Sequence, residues 1–232
     1  MSRSTVVVTG ANRGIGLALC RQLLARGDMH LVAACRRPEA AAELHRLGED
    51  HGDRLEIVAL DVTDATSVAA LAETLAGRTV DVLVNNAGIK GPYETLDDLD
   101  FDEWLREFAV NTLAPVRVAR ALRASLRTAA VPRIVTITSQ MGSLARQTRG
   151  HYAYRTSKAA ANKAMQILAL DLEDDGIAVV AMHPGWVRTD MGGARGEISV
   201  EESAAGIIRV IDALTLADSG RFLTWQGRDH PW

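Results

Sequence analysis

The chain has 232 residues, 47% of them apolar and 24% charged, with a formal net charge of −3 at neutral pH. That balance excludes a disordered chain, and the length suits one domain, residues 1–232, large enough to bury a core. The slight acidity gives no electrostatic reason to expect nucleic acid or an anionic membrane surface as a partner.

The apolar run in "MSRSTVVVTG" is too short for a signal peptide or a membrane span. Residues 5–9 read as a strand that runs straight into "TGANRGIG" (9–16) and then the helical stretch "GIGLALCRQLLARG". Gly10, Gly14 and Gly16 therefore fall on a tight turn opening a helix. There, glycine lets backbone amides approach a phosphate and the helix N-terminus favours negative charge. The spacing differs from that of the P-loop and no lysine follows the last glycine, which argues against phosphoryl transfer. A second strand (30–35) ends in "ACRRPE". Folds that prefer NAD usually carry an acid at this point, whereas Arg36 and Arg37 stand here, with Arg13 in the turn nearby. Guanidinium groups match a phosphate in charge and fork geometry, so NADP(H) is expected over NAD(H), which stays possible. The alternative is that these arginines are solvated surface charge.

Strands at 55–60 and 81–86 follow, with a helix between them capped by Asp64 and stopped at Gly77. Asp61 and the segment "NNAG" (85–88) close these strands. They suit adenine and ribose contacts, or ordinary caps and turns. A long helical stretch over 101–130 carries Arg117, Arg120, Arg123 and Arg127 at helical spacing, read as a solvated stripe. A strand at 133–138 leads through Thr138 and Ser139 into the loop 140–151. The helix beginning near Tyr154 runs to Gly176, a strand spans 177–182, a helix capped by Ser199 follows, and a weak strand lies at 221–225. Strict alternation of apolar strands with helices predicts an α/β fold: a doubly wound, Rossmann-type parallel sheet of about seven strands with helices on both faces. The ligand crevice is expected at the strands' carboxyl ends.

Within "HYAYRTSK" (151–158), Tyr154 has Lys158 one helical turn on, while Tyr152 has only Thr156. A cation about 4 Å from the phenol, at an effective dielectric of about 20, contributes ~4 kcal/mol, or ~3 pKa units. The expectation is that Lys158 brings Tyr154 toward the working pH of a general acid/base. Cys20 and Cys35 lack CxxC spacing and read as reduced structural thiols of a cytoplasmic protein; the six histidines are scattered, so no metal site is expected.

In this order the motifs TGANRGIG, Asp61-Val62, NNAG, Asn111, Ser139, Tyr154-x-x-x-Lys158 and "PGWVRTD" (184–190) resemble the short-chain dehydrogenases/reductases over nearly the whole chain. The segments "YAYRTSKAAAN" and "HPGWVRTDMGG" are most similar to the C-factor-like carbonyl reductase branch. The resemblance implies NAD(P)-dependent interconversion of a carbonyl and an alcohol on a small molecule. Tyr154 would be the acid/base, Ser139 would bind the substrate oxygen, and Asn111 would support a proton relay. Lys158 would hold the nicotinamide ribose. Gly10, Asn12, Arg13, Gly14, Ile15, Gly16, Arg36, Arg37, Asp61, Val62, Asn86, Ala87 and Gly88 would line the cofactor, with Pro184, Val187 and Thr189 at its carboxamide end. A homodimer or homotetramer is implied by the same analogy. The competing reading is a cofactor-binding sensor or signalling protein with little turnover.

"SQMG" matches the family's Ser-x-x-Gly, but the interval to Tyr154 is longer than usual, so the loop 140–151 is expected to bulge and shape the pocket. A small lid is expected around 190–199. Trp186 is expected as a pocket wall, His183 as a packed residue, and the terminal "TWQGRDHPW" as a segment that docks on a neighbour or covers the site.

Overall fold

The computed structural model describes residues 3–232; Met1 and Ser2, the start of the span read as one domain, lie outside it. The strands are β1 (Ser4–Thr9), β2 (Met29–Cys35), β3 (Leu55–Ala59), β4 (Val82–Asn85), β5 (Arg133–Ile137), β6 (Ala178–His183) and β7 (Phe222–Thr224). The helices are α1 (Gly14–Ala25), α2 (Ala42–His51), α3 (Ala65–Thr74), α4 (Phe101–Phe108), α5 (Ala114–Leu126), α6 (Tyr152–Asp171) and α7 (Val200–Ala213). Every expected strand is present, with ends displaced by at most one residue.

The seven strands lie in the order β3-β2-β1-β4-β5-β6-β7, and all neighbours are parallel. This is the doubly wound Rossmann-type sheet that the alternation predicts. Strand period 2 divides the core between its two faces. Val6 and Val8 of β1 point to the layer of α1, α2 and α7, while Val7 points to the layer of α3, α5 and α6. The order in which strands are added reverses at β1/β4, so their carboxyl ends open a crevice between the layers.

Local chemistry sets the helix ends. Asp64 accepts from the Thr66 and Ser67 amides at the start of α3, and Ser199 forms a reciprocal capping box with Glu202 at the start of α7. Gly27, Gly77 and Gly176 all take positive φ after helices, as a left-handed stop requires.

The stretch 101–130 departs from the single helix expected. It breaks into α4 and α5 around a π-helical turn, Ala109–Leu113. Pro115 has no N–H to give the Asn111 carbonyl four residues back, which favours the wider turn there. Of the arginine stripe, Arg120, Arg123 and Arg127 are exposed as expected, and Arg117 is half-buried. Arg117 donates to the carbonyls of Val62 and Thr63, and Arg123 and Arg127 both pair with Asp175.

Candidate active site

The glycine-rich turn joins β1 to α1. Gly10 and Gly14 have φ of +63° and +53°, a region that strains a residue carrying Cβ. At Gly16 the limit is space: a Cβ would meet the Gly10 carbonyl oxygen and sit 2.6 Å from Asn86 Nδ2. Asn86 Nδ2 donates to the carbonyls of Thr9 (2.9 Å) and Gly10 (3.1 Å), and the amides of Asn86 and Ala87 both donate to Thr9 Oγ1. The end of β4 thus braces the turn. Arg13 enters α1 in extended conformation with no side-chain cap, and no acid occupies the first helical turn. The leading amides of α1 are left for an anion. Asn12 is exposed, and Ile15 packs on the core behind the turn.

Arg36 and Arg37 are exposed at the tip of β2 and form no ion pair among the described residues. Arg13, expected near them, is instead held by Asp190 at 3.0 Å. That pair is exposed, and such pairs contribute at most about 1 kcal/mol, so an incoming phosphate can displace it. Asp61 serves its own turn, accepting from the Thr63 amide (2.9 Å) and hydroxyl (2.6 Å). These bonds, with help from nearby Arg36, hold its carboxyl below the usual range. Val62 is buried beside it.

The segment after β6 lies across the turn. A Cβ on Gly14 would stand 3.6 Å from Thr189 Cγ2, Val187 is buried, and the Pro184 carbonyl accepts from Ser203 of α7 at 2.7 Å. An uncapped helix N-terminus, a glycine cradle that side chains would fill, and unpaired strand-tip guanidinium groups together fit a dinucleotide carrying an extra phosphate.

Tyr154 and Lys158 lie on α6. His151 precedes this helix in the left-handed region (φ 54°) without a side-chain cap, and Glu94 Oε1 supplies one from afar, accepting the Ala153 amide at 2.7 Å. The turn after Ser139 approaches α6 closely because residue 142 is glycine. A Cβ there would stand 2.6 Å from the Lys158 carbonyl carbon and 2.7 Å from the Ala159 nitrogen. This contact explains the Ser-x-x-Gly spacing, since it brings Ser139 up to Tyr154. Asn111 is buried in the π-helical turn, where Oδ1 accepts from the Ile89 amide (2.9 Å) and Nδ2 donates to the Ile89 carbonyl (2.9 Å) and Ser157 Oγ (3.0 Å). Gly88 separates Asn111 from Lys158: a Cβ there would be 3.3 Å from Asn111 Oδ1 and 3.5 Å from Lys158 Nζ. Asn111, Ser139, Tyr154 and Lys158 therefore converge from three elements.

The electrostatics depart from expectation. Lys158 Nζ donates to the Ile137 carbonyl at 2.9 Å and stands 5.8 Å from the Tyr154 ring centroid. Burial pushes the Tyr154 phenol up to about 12, against the favourable Ser139 hydroxyl, with Glu107 adding to the rise. Burial pushes Lys158 down to about 8, opposed by Glu107. Desolvation thus outweighs the Coulomb gain that sequence spacing alone suggests.

Sequence reasoning missed three neighbours: Glu107, Glu94 and Lys90, whose Nζ stands 5.9 Å from the Tyr154 centroid. Pro115 was the available signal for the kink that turns Asn111 inward. Beside Ser139 and Pro184 lies a cavity of about 470 Å³, whose walls include Gln140, Arg146, His183, Trp186, Glu197 and His230. Trp186 and the loop 140–151 therefore shape a pocket as expected, while Tyr154 is not among its walls. An isolated parallel bridge joins Val187 to Ile198 across the segment expected as a small lid. The chain terminus folds back on its own molecule: the Trp232 carbonyl accepts the Ala145 amide, and His230 stacks edgewise on buried His183. Tyr152 is half-exposed and packs against Trp104.

Residues 4–198 match the family described as short chain dehydrogenase. The chain belongs to the short-chain dehydrogenase/reductase family of oxidoreductases, its carbonyl-reductase-like branch included in the resemblance. It is 45% identical over 164 residues to C-signal of Myxococcus xanthus, covering 70% of this chain and 99% of that one. It is 37% identical to 1-hydroxy-2-glutathionyl-2-methyl-3-butene dehydrogenase of Rhodococcus sp. strain AD45, over 99% of this chain and all of that one. The NADPH-bound carbonyl reductase from chicken fatty liver superposes with a TM-score of 0.93 at 37% identity, covering both chains fully.

Proposed function

We propose that this chain is an NADP(H)-dependent oxidoreductase that interconverts a carbonyl and an alcohol on a small molecule, with Tyr154 as general acid/base. The observation that carries the reading is the convergence of Ser139, Tyr154, Lys158 and Asn111 beside a glycine turn built for phosphate. Arg36 and Arg37 would meet the extra phosphate, and the amides of Gly14, Ile15 and Gly16 the pyrophosphate. Lys158, with one of its N–H groups on Ile137, has donors left for the ribose. The bound cofactor supplies or accepts the hydride and, when oxidised, adds positive charge. Ser139 donates to the substrate oxygen, and Tyr154, held protonated by its burial, gives its proton to that oxygen as negative charge develops. In the reverse direction the phenolate takes the alcohol proton, and Asn111 orders the polar path behind it.

A carbonyl panel run with matched NADPH and NADH tests this. Turnover is expected, with Arg36→Ala and Arg37→Ala raising KM for NADPH well above any change for NADH. Equal effects on both cofactors would remove the phosphate assignment. The likeness to C-signal favours one alternative, a cofactor-binding signalling protein; tight NADPH binding without turnover across the panel would support it.

The chain is read as working through one dinucleotide-binding unit spanning its length. Among the described residues no helix is long and apolar enough to cross a membrane, and Cys20 and Cys35 are free, which suits a reducing cytoplasm. Leu105, Leu113, Ile167 and Leu170 are exposed on the layer of α4, α5 and α6, and they support pairing of copies there into a homodimer or homotetramer. A monomeric mass by light scattering would contradict that pairing.

A further inference from the structure

Glu107 closes α4 one turn before Asn111 and is only 1% exposed. Glu103, one turn earlier, pairs with Arg106, but Glu107 has no cationic partner within ion-pair distance among the described residues. Its contacts are neutral donors: Oε1 accepts the Gly91 amide at 2.6 Å, and Oε2 accepts from Asn111 Nδ2 at 3.5 Å. A carboxylate buried among neutral groups is costly, by several kcal/mol before compensation. The surroundings are shaped for it nonetheless. A Cβ on Gly91 would stand 3.0 Å from Glu107 Oε1 and from Glu103 Cγ, so a larger residue there would press on both glutamate side chains and require them to give by a few tenths of an ångström.

We propose that Glu107 is a positioning residue of the reaction: its buried carboxylate ties the Gly91 loop to the Asn111 amide and sets the electrostatic field around Tyr154 and Lys158. The proposal rests on Tyr154 acting as the acid/base. Glu107 is the charged side chain that acts on both members of the pair, favouring the ammonium of Lys158 and disfavouring the phenolate of Tyr154. The groups facing it are Glu103 on its own helix, Glu94 in the preceding loop and Lys158 on α6. Burial first, and then the two acids, push its carboxyl up, while the Gly91 amide and Lys158 pull it down. Lys90, adjoining Gly91, is the second cation near the phenol.

The sign follows from removing one negative charge. Without it the phenolate is less disfavoured and the ammonium less favoured, so both groups release their protons at lower pH. Glu107→Gln keeps an oxygen to accept the Gly91 amide but loses the charge. The expected result is a pH–rate profile moved toward lower pH by about half a unit to one unit. Carbon-13 NMR titration of ring-labelled tyrosine with saturating NADP⁺ should show the same displacement for one of the three tyrosines, assigned by its absence in Tyr154→Phe. Glu107→Asp, which keeps the charge but shortens the reach, should lower kcat with the profile unmoved. A Glu107→Gln profile and tyrosine titration matching the parent would overturn the proposal, as would a Glu107→Asp variant that moves the profile as the Gln variant does. Should Glu107→Gln not fold, the Asp variant and the parent titration still decide. The NMR titration stands apart from turnover, so a wrong role for Tyr154 would leave the ring displacement intact, whereas a wrong role for Glu107 would abolish it.

Discussion

Burial dominates the chemistry of Tyr154 and Lys158. The phenol is 8% exposed and the ammonium-bearing residue 4%, and each is driven toward its neutral form. A phenol near 12 stays protonated at neutral pH, so the proton that reduction uses is in place while the phenolate that oxidation uses is scarce. In the proposed role Lys158 would set the alkaline limit. With its pKa pushed down to about 8, it is charged below that value and neutral above, so the attraction it would have for a cofactor ribose would fade as pH rises through it. KM for NADPH is therefore expected to climb above about pH 8 while remaining level below it; initial rates across pH check this, and a level KM throughout would detach Lys158 from cofactor binding. None of this was legible in the spacing of Tyr154 and Lys158. An i, i+4 interval states which side chains are neighbours, but the water each has lost depends on helices and loops arriving from elsewhere in the chain. Glu107, Lys90 and Gly91 are unremarkable in sequence for the same reason.

Among the elements, strands and helix caps were the most legible. The strands are apolar runs bounded by turn residues, and Asp64 and Ser199 cap α3 and α7 through local hydrogen bonds that need no tertiary information. The π-helical turn was not legible as such. Its single extra residue is stabilised by what Asn111 then reaches, the Ile89 backbone and Ser157 Oγ, both distant in sequence. The turn after Ser139 falls between these cases: the motif was visible, but its reason is the close approach of Gly142 to the backbone of α6 at Lys158. Gly142→Ala forces that turn away from α6, because the obstacle is backbone that cannot rotate aside. A loss of about 1–3 kcal/mol in unfolding free energy is expected. With it should come a fall in kcat larger than the change in KM for NADPH, since Ser139 moves and the glycine turn does not. Denaturant melts and steady-state kinetics measure both; parental kcat would separate this contact from catalysis.

At the scale of the molecule, the sheet order places β1 and β4 side by side with their carboxyl ends diverging into opposite helical layers. The glycine turn, the brace at Asn86, and the segment 184–189 all meet there, while α6 brings Tyr154 from one layer against Ser139 at the end of β5. Alternation of strand and helix was enough to predict that arrangement, because parallel crossovers leave few ways to wind such a chain. The pocket beside it was foreseen only in its makers, the loop after Ser139 and Trp186; its volume and its polar walls depend on the returning terminus at His230. On the proposed function the arrangement separates two tasks: the β1/β4 crevice would bind the cofactor, and the ring hydroxyl of Tyr154 would move the proton. Single-turnover mixing of NADPH-loaded Tyr154→Phe with an accepted carbonyl tests that separation most directly. NADPH affinity within about twofold of the parent is expected, with cofactor oxidation slowed at least about 100-fold. Oxidation at the parental rate would contradict it.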